Sequence, residues 1–526
     1  MAFRKKETTS EDVFVLTVPL HVERWQRDKL DTLFRCCNDM KNALIADRKK
    51  ALVQMERTRA YRAIQDEIRS IYAIPGAQRT KEQKARLAEL YAKRAEILKR
   101  YQLYDRNDFY AVSKRFRNHY GKLIHSQVAQ KIAFDVCDAF ETYFFGNGKE
   151  IHFSKWTEFT SIAGASNATG IRYRDGCLLV NQMKLKIAFS RKDRYGYETE
   201  AMTRTIHYCG ISRRWYPEGW RYFAQLTLSG NPPVKVYPET GELLHPLGEG
   251  RVGNDIGPQT LATVGDASAS LVVLADGIDT QQAELRRLNR AMDRSRRATN
   301  PQFFGKDGQV VPKEKLDTSL LDKRGNRRWV KSKRYRRLES QRRALYQRQA
   351  ERRVQQHNEL TNRLLAFGDT HFIEKMDFSA LSKKAQEPKK NDKGKNLSRK
   401  RFGKSIANRA PALFVKIYER KVLAAGGAFH QVPTRTTKAS QYLHDRKTFK
   451  KKKLHQRWNR MKDGRRVQRD LYSAFLLKHT NNTFNGFNQQ ALEADYPRFL
   501  LLHDAEIRRL KTQTHLLSSM GIRPVA

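Results

Sequence analysis

From sequence alone this chain is expected to be a multidomain α+β protein. Its 526 residues exceed the ~250 to 300 at which a single core stops growing, so about three to five compact units are expected. Apolar residues recur at helical spacing from about residue 23 to 145, and short β-type runs split by Gly, Asn and Asp follow to about 235. Beyond these, strand pairs joined by Gly-Asp turns lead into long basic helices, the pattern of an α/β unit.

The segment Val13 to Val22 reads as a strand. Trp25, Leu30, Leu33, Phe34, Cys37 and Met40 then mark a helix, and helices continue through the stretch 79 to 100 to a last one at Val128 to Phe145. The runs IHFSKW, GIRYRDGCLLV, LKIAFS, TIHYCGI and WRYFAQLTLSG read as strands of a small antiparallel barrel or sandwich. GRVGNDIGPQTLATVGDASASLVVLADG gives two or three more strands, before helices from about 279 to 298 and 331 to 367. HFIEKMDF reads as a buried strand, and SKKAQEPKKNDKGKNLSRKRFGK as a mobile polar loop. One helix is expected from about Ser405 to Ala425, capped by Gly426-Gly427, and FHQVP is a further strand. An extremely basic insert runs to about 470, and helices close the chain.

Composition narrows the partners. Against 55 Asp+Glu stand 103 Lys+Arg, a formal charge of +48. A compact protein with that self-repulsion calls for an anionic partner, and nucleic acid is the obvious one. Hydrophobic residues at 39% and aromatics at 10% still suffice for real cores. Cys36, Cys37, Cys137, Cys177 and Cys209 show no zinc-type or disulfide-type pairing, which reads as free thiols in a reducing cytoplasm. No leader and no run near the ~20 apolar residues of a membrane span is apparent, so a soluble, unexported protein is expected.

The positive charge is concentrated. One cluster spans 323 to 353 and includes Arg327, Arg328, Lys331, Lys333, Arg334, Arg336 and Arg337. A second spans 447 to 466, with Lys450, Lys451, Lys452, Lys453, Arg457 and Arg465. Few acids stand at i,i+4 to make these ordinary solvated helix faces, so they are candidate phosphate-tracking surfaces. Trp329, Tyr335, Phe449 and Trp458 are interleaved with them, as base-stacking platforms or as core anchors.

Three acids stand out against this basic background, each at an element edge in an apolar frame. Asp255 lies in VGNDIGPQTLA, where Gly257 breaks a strand; Glu374 follows Phe372 and Ile373; Asp470 opens the apolar helix of VQRDLYSAFLL. Taken singly, each has a plain alternative: a turn-former, an edge-strand surface charge and a helix cap, respectively. Together they have the chemistry to hold two Mg²⁺ for phosphodiester hydrolysis.

NDIGPQTLATV, HFIEKMDFSAL and QRDLYSAFLL, in that order, resemble the three motifs of RuvC-type RNase H-fold nucleases. FRCCNDMKNALIADR, SQVAQKIAFDVCDAFETYFF and SIANRAPALFVKIYERKVLAAGGAFHQVP extend the resemblance to the TnpB family, whose relatives are the type V CRISPR effectors and Fanzor proteins. The resemblance implies an RNase H-like (RuvC) α/β nuclease domain plus an antiparallel β-barrel (wedge) domain with a helical recognition insert. Residues 1–24 would begin the wedge barrel, 25–148 form the recognition domain, and 149–240 complete the wedge. Residues 241–432 would carry the first two nuclease motifs, 433–468 a target-nucleic-acid-binding insert, and 469–526 the third motif with a C-terminal extension of unassigned role.

The resemblance further implies that Asp255, Glu374 and Asp470 are the catalytic and metal-binding residues, with two Mg²⁺ as cofactor. It implies a guide RNA and target double-stranded DNA as partners, in the cytoplasm of a prokaryote near the nucleoid. The family's zinc ribbon has no counterpart, since the insert has no Cys and His444 and His455 alone do not make a structural site. No zinc is expected, and packing of Tyr442, Leu454 and Trp458 is expected in its place. The rival readings are a nuclease-inactive RNA-guided regulator, a DDE-type transposase and an RNA-binding scaffold. The transposase fits less well because its last acid is expected to be a Glu, whereas the order here is Asp, Glu, Asp.

Overall fold

A computed structural model describes residues 12–144, 148, 150–323, 325–383, 402–453 and 455–524. The loop expected between about 382 and 404 lies mostly outside the described residues, as does Leu454. The chain divides into two compact units, Met1–Pro233 and Val234–Ala526.

The first unit opens with β1 (Val13–His21), whose Phe14, Leu16 and Val18 are buried while Val13 and Val15 are exposed, the period-two pattern of a half-buried strand. Five helices follow: α1 (Arg24–Glu56), α2 (Arg59–Ala73), α3 (Lys81–Arg100), α4 (Arg106–His119) and α5 (Ser126–Phe144). Leu30, Leu33, Phe34, Cys37 and Met40 of α1 pack on the sheet, whereas Leu44, Leu52 and Met55, further along, pack among α4 and α5. The remaining elements are β2 (Ser161–Ala163), β3 (Arg172–Arg174), β4 (Cys177–Val180), β5 (Met183–Ile187), α6 (Tyr197–Ala201), β6 (Ile206–Tyr216) and β7 (Gly219–Ser229). All pairs in the seven-stranded sheet, ordered β2-β6-β7-β1-β5-β4-β3, are antiparallel. β1 pairs with β7 over Val13–Pro19 and with β5 at Leu20–His21, so this strand carries the sheet round a corner into a curled half-barrel.

IHFSKW is not a strand. Instead Asn42 of α1 bonds both the N–H and the C=O of Ser154, holding the segment against the helix. Trp156 faces the guanidinium of Arg213 at 3.8 Å, with Trp220 at 4.0 Å and Phe34 at 4.5 Å around the same cation. Asp31 of α1 completes this buried cage, accepting from Tyr222 at 2.6 Å and pairing with Arg213 at 3.3 Å.

The second unit is built on β8 (Arg251–Ile256), β9 (Thr260–Val264), β10 (Ala269–Val273), β11 (Thr370–Lys375) and β12 (Ala428–Pro433), in the order β10-β9-β8-β11-β12. β8, β11 and β12 are parallel, and β9 runs antiparallel to β8 and β10. The parallel steps use helical crossovers: α7 (Gln282–Thr299) and α8 (Lys333–Leu365) before β11, then α9 (Phe378–Ser382), α10 (Gly403–Arg409) and α11 (Pro411–Ala424) before β12. The single helix expected at 405–425 is broken at Ala410, which adopts φ 46° ahead of Pro411; Pro411 has no N–H to continue the α10 ladder and instead opens α11 at its first turn.

The basic insert holds α12 (Thr434–Thr437) and two small hairpins, β13 (Tyr442–Leu443) with β14 (Thr448–Phe449), and β15 (Trp458–Arg460) with β16 (Arg466–Gln468). α13 (Arg469–Lys478) and α14 (Gln489–Lys511) end the fold. Every residue of α13 from Leu471 to Lys478 is buried, because the sheet lies on one side and α14 on the other, where Phe475 and Phe499 stack at 4.4 Å. The C-terminal extension is thus the lid that lets an apolar helix exist here. No helix among the described residues is long and apolar enough to cross a membrane.

Candidate nuclease site

Alternation along the strands puts two of the acids on one face. Ile256 of β8 and Ile373 of β11 join the core beneath α8 and α11, whereas Phe372 joins the core under α13. The period of two then turns Asp255 and Glu374 toward α13. The register Ile373↔Asn254 makes the two acids neighbours on adjacent parallel strands. Glu374, on a central strand and 9% exposed, is not an edge-strand surface charge.

The third acid arrives with α13, which runs back along β8. Arg251 donates to the carbonyls of Lys478 at 2.8 Å and Thr480 at 2.5 Å, holding the C-terminal end of the helix. Midway, a Cβ at Gly253 would overlap the Ala474 carbonyl oxygen and the Lys478 amide nitrogen, so only glycine permits this approach. The N-terminal end of α13 thereby reaches Asp255. Asp470 is not the helix cap: Gln468 is, its side chain accepting the Leu471 N–H at 2.8 Å.

Asp255, Glu374 and Asp470 line one cavity of about 380 Å³ with Lys451, Lys452, Arg457 and Arg469. Burial, then the charges of Glu374 and Asp470, push Asp255 well above the ordinary carboxylate range. Burial raises Glu374 to about 7. Asp470 is instead held by cations, with Arg469 at 3.1 Å and Arg457 at 3.8 Å, and accepts from Gln468 at 3.3 Å. Among the described residues no group of three or more His, Cys, Asp or Glu is arranged to hold a single ion. The donors nevertheless suit a hard divalent cation: three carboxylates line one cleft, and burial disfavours the charged form of two of them, a cost that a bound cation would offset. A separate cavity of about 440 Å³, lined by His444, Asp445, Asp463 and Glu493 among others, contains none of the three.

Of the basic candidates, Arg328, Lys331, Lys333, Arg334, Arg336 and Arg337 lie exposed on or just before α8. Lys331 pairs with Glu339 at 2.9 Å, and Arg327 is partly buried against the Val311 carbonyl. Trp329 packs on Phe303 at 4.7 Å while remaining 37% exposed. In the insert Lys450, Lys451, Lys453 and Arg465 are exposed, whereas Lys452 and Arg457 turn into the carboxylate cleft. The Lys452 ammonium is buried with no hydrogen-bond partner among the described residues, and burial with the nearby Arg469 pulls its pKa down to about 8.

Around the insert, Tyr442 stacks on Phe487 at 5.0 Å and Trp458 donates to the Gly521 carbonyl at 2.7 Å. Buried His444 bonds the Tyr472 hydroxyl at 2.7 Å, and His455 is exposed. Sequence reasoning missed Gln468, Ser519 and His503. His503 accepts the Gln468 N–H, Gln468 donates to the Met520 carbonyl as well as to Asp470, and Ser519 lines the cleft. Their only signal was proximity of Gln468 to Asp470; the tail contacts are wholly non-local.

No family model and no curated protein matches the sequence. Among solved structures, the chain is similar at 11% identity and a TM-score of 0.23 to a chain of the CRISPR-Cas12f ternary complex, over 86% of this chain and 82% of that one. That overlap is too slight to place the fold.

Proposed function

We propose that this protein is an RNA-guided DNA endonuclease with a single RuvC-type site, in which Asp255, Glu374 and Asp470 bind two Mg²⁺. The observation that carries the reading is the meeting, in one basic cleft, of three carboxylates from the end of β8, the end of β11 and the start of α13. These are the three acids of the RuvC-like and TnpB-like motifs. The sheet order, with parallel β8, β11 and β12 flanked by antiparallel β9, supports an RNase H-like domain.

Two Mg²⁺ bound here would activate a water for attack on phosphorus and stabilise the leaving 3′ oxygen. The chain's own groups do the rest. Asp255 and Glu374 serve as ligands only as carboxylates, so loading the site displaces their protons. Arg469 and Arg457 hold Asp470 in orientation at the helix start. The Lys452 ammonium, with no hydrogen-bond partner among the described residues, offers positive charge to the phosphate being cut. The exposed basic side of α8 tracks an RNA–DNA duplex by its backbone, while pairing with the guide reads the sequence. On the same reading, the helices and curled sheet of the first unit serve as recognition and wedge domains for a short motif beside the target, and the insert binds target strand.

The test is to purify the protein with its bound nucleic acid, sequence the RNA, and assay matching and mismatched DNA with and without Mg²⁺. A defined small RNA and Mg²⁺-dependent cutting of matched DNA are expected. Cutting indifferent to the guide, or no RNA at all, would defeat the proposal.

A further inference from the structure

Beside the carboxylate cleft lies a second cavity of about 540 Å³, lined by His455, Arg457, Trp458, Arg466, Ser518 and Arg523 among others. Among the described residues no carboxylate lines it. Arg466 and Arg523 make no ion pair among the described residues, and Arg466 stands directly opposite Arg460 in the β15–β16 hairpin, a like-charge pairing that disfavours the hairpin unless an anion offsets it. The Arg466 guanidinium lies 5.6 Å from the Trp458 ring, and the Trp458 indole is tied to Gly521. The C-terminal turn Ser518–Met520 and Arg523 therefore form one wall and the hairpin the other.

Arg457 belongs to both cavities, and the adjacent residues Ser519 and Ser518 line the first and the second respectively. A polyanion passing through the cleft would meet this cavity next. We propose that the cavity is a subsite for a backbone phosphate of the single DNA strand being cut, close to the scissile phosphate, with Arg466 and Arg523 as its contacts. This rests on the nuclease reading and gives the C-terminal extension a substrate-binding role. Guanidinium donors suit a phosphate because they offer paired N–H groups to its oxygens.

The experiment uses the full RNA-bound protein and single-stranded oligonucleotides in which one phosphate at a time is replaced by a neutral methylphosphonate. Binding is measured in EDTA and cutting in Mg²⁺, for wild type, Arg523→Gln, Arg466→Gln and Arg523→Lys. Arg523 is exposed, and unchanged thermal melting verifies that its variants fold. Wild type is expected to lose roughly tenfold in binding at one methylphosphonate position near the cut. Arg523→Gln should show much of that loss already and be less sensitive to the same replacement, with its salt slope lower by about 0.7; Arg523→Lys should restore the slope but only part of the binding. Wild-type cutting with equal binding and equal methylphosphonate sensitivity in both Gln variants would overturn the subsite. Loss of binding in those variants without any wild-type cutting would uphold the subsite and overturn the nuclease reading.

Discussion

His503 of α14 accepts the backbone N–H of Gln468 at 2.9 Å, and Gln468 in turn caps α13 and donates to Asp470. His503 Nδ1 bonds Asp504, which leaves Nε2 free to act as acceptor. The C-terminal extension thereby fixes the residue that orients the third acid. Gln468→Leu is expected to destabilise the protein by about 1 kcal/mol through loss of the cap. It should also raise the Mg²⁺ concentration needed for half-maximal cutting by roughly 10-fold or more, the usual effect of losing an outer-shell partner. A titration of cutting rate against Mg²⁺ checks this, and an unchanged midpoint would contradict it.

Gly253 is where α13 touches the sheet. Gly253→Ala drives a methyl into the Ala474 carbonyl, and overpacking of this kind costs about 1 to 3 kcal/mol or more. Thermal melting should show loss of the second unit's stability together with loss of cutting, because the helix that carries Asp470 must shift. Gly257→Ala, which meets nothing closer than 3.4 Å, is the milder comparison.

The acids make metal-free stability depend on pH. Burial raises Glu374 from 4.5 to about 7, so folded protein keeps a proton that unfolded chain has lost. The stabilisation is complete below pH 4.5 and is lost as pH rises through about 7, at about 1.4 kcal/mol per unit. In EDTA, wild type should therefore weaken relative to Glu374→Gln between pH 4.5 and 7, and Mg²⁺ should reverse the difference. Denaturant midpoints across that range measure it; parallel curves would be the contrary result.

The Lys452 ammonium is buried in the cleft with no hydrogen-bond partner among the described residues. Lys452→Met removes charge there at little packing cost, so guided binding should persist while the rate at saturating DNA falls roughly 100-fold, as for loss of one preorganised transition-state contact. Single-turnover kinetics separates the two quantities, and an unaltered rate would remove Lys452 from the chemistry.

Asp255, Glu374 and Asp470 were singled out in the sequence by the order of their motifs and their apolar frames, and the structure places all three along one cleft. What made Asp255 and Glu374 neighbours, the parallel pairing of β8 with β11, is long-range and has no local signature. The helix break at Ala410 was legible in Pro411 and overlooked. IHFSKW has the composition of a strand, but its backbone groups are taken by Asn42 of α1, a tertiary choice that propensity does not see. The C-terminal extension gave no sign of its place, since its role depends on His503, Ser519 and Arg523 folding back on the insert.

The most direct test of the whole account is guided DNA cutting by Asp255→Ala and Glu374→Gln. Each is expected to reduce Mg²⁺-dependent cutting by more than about 100-fold, beyond what loss of an outer-shell partner causes, while RNA-guided DNA binding stays at the wild-type level. Cutting that survives either substitution would contradict the assignment of this cleft as the nuclease site.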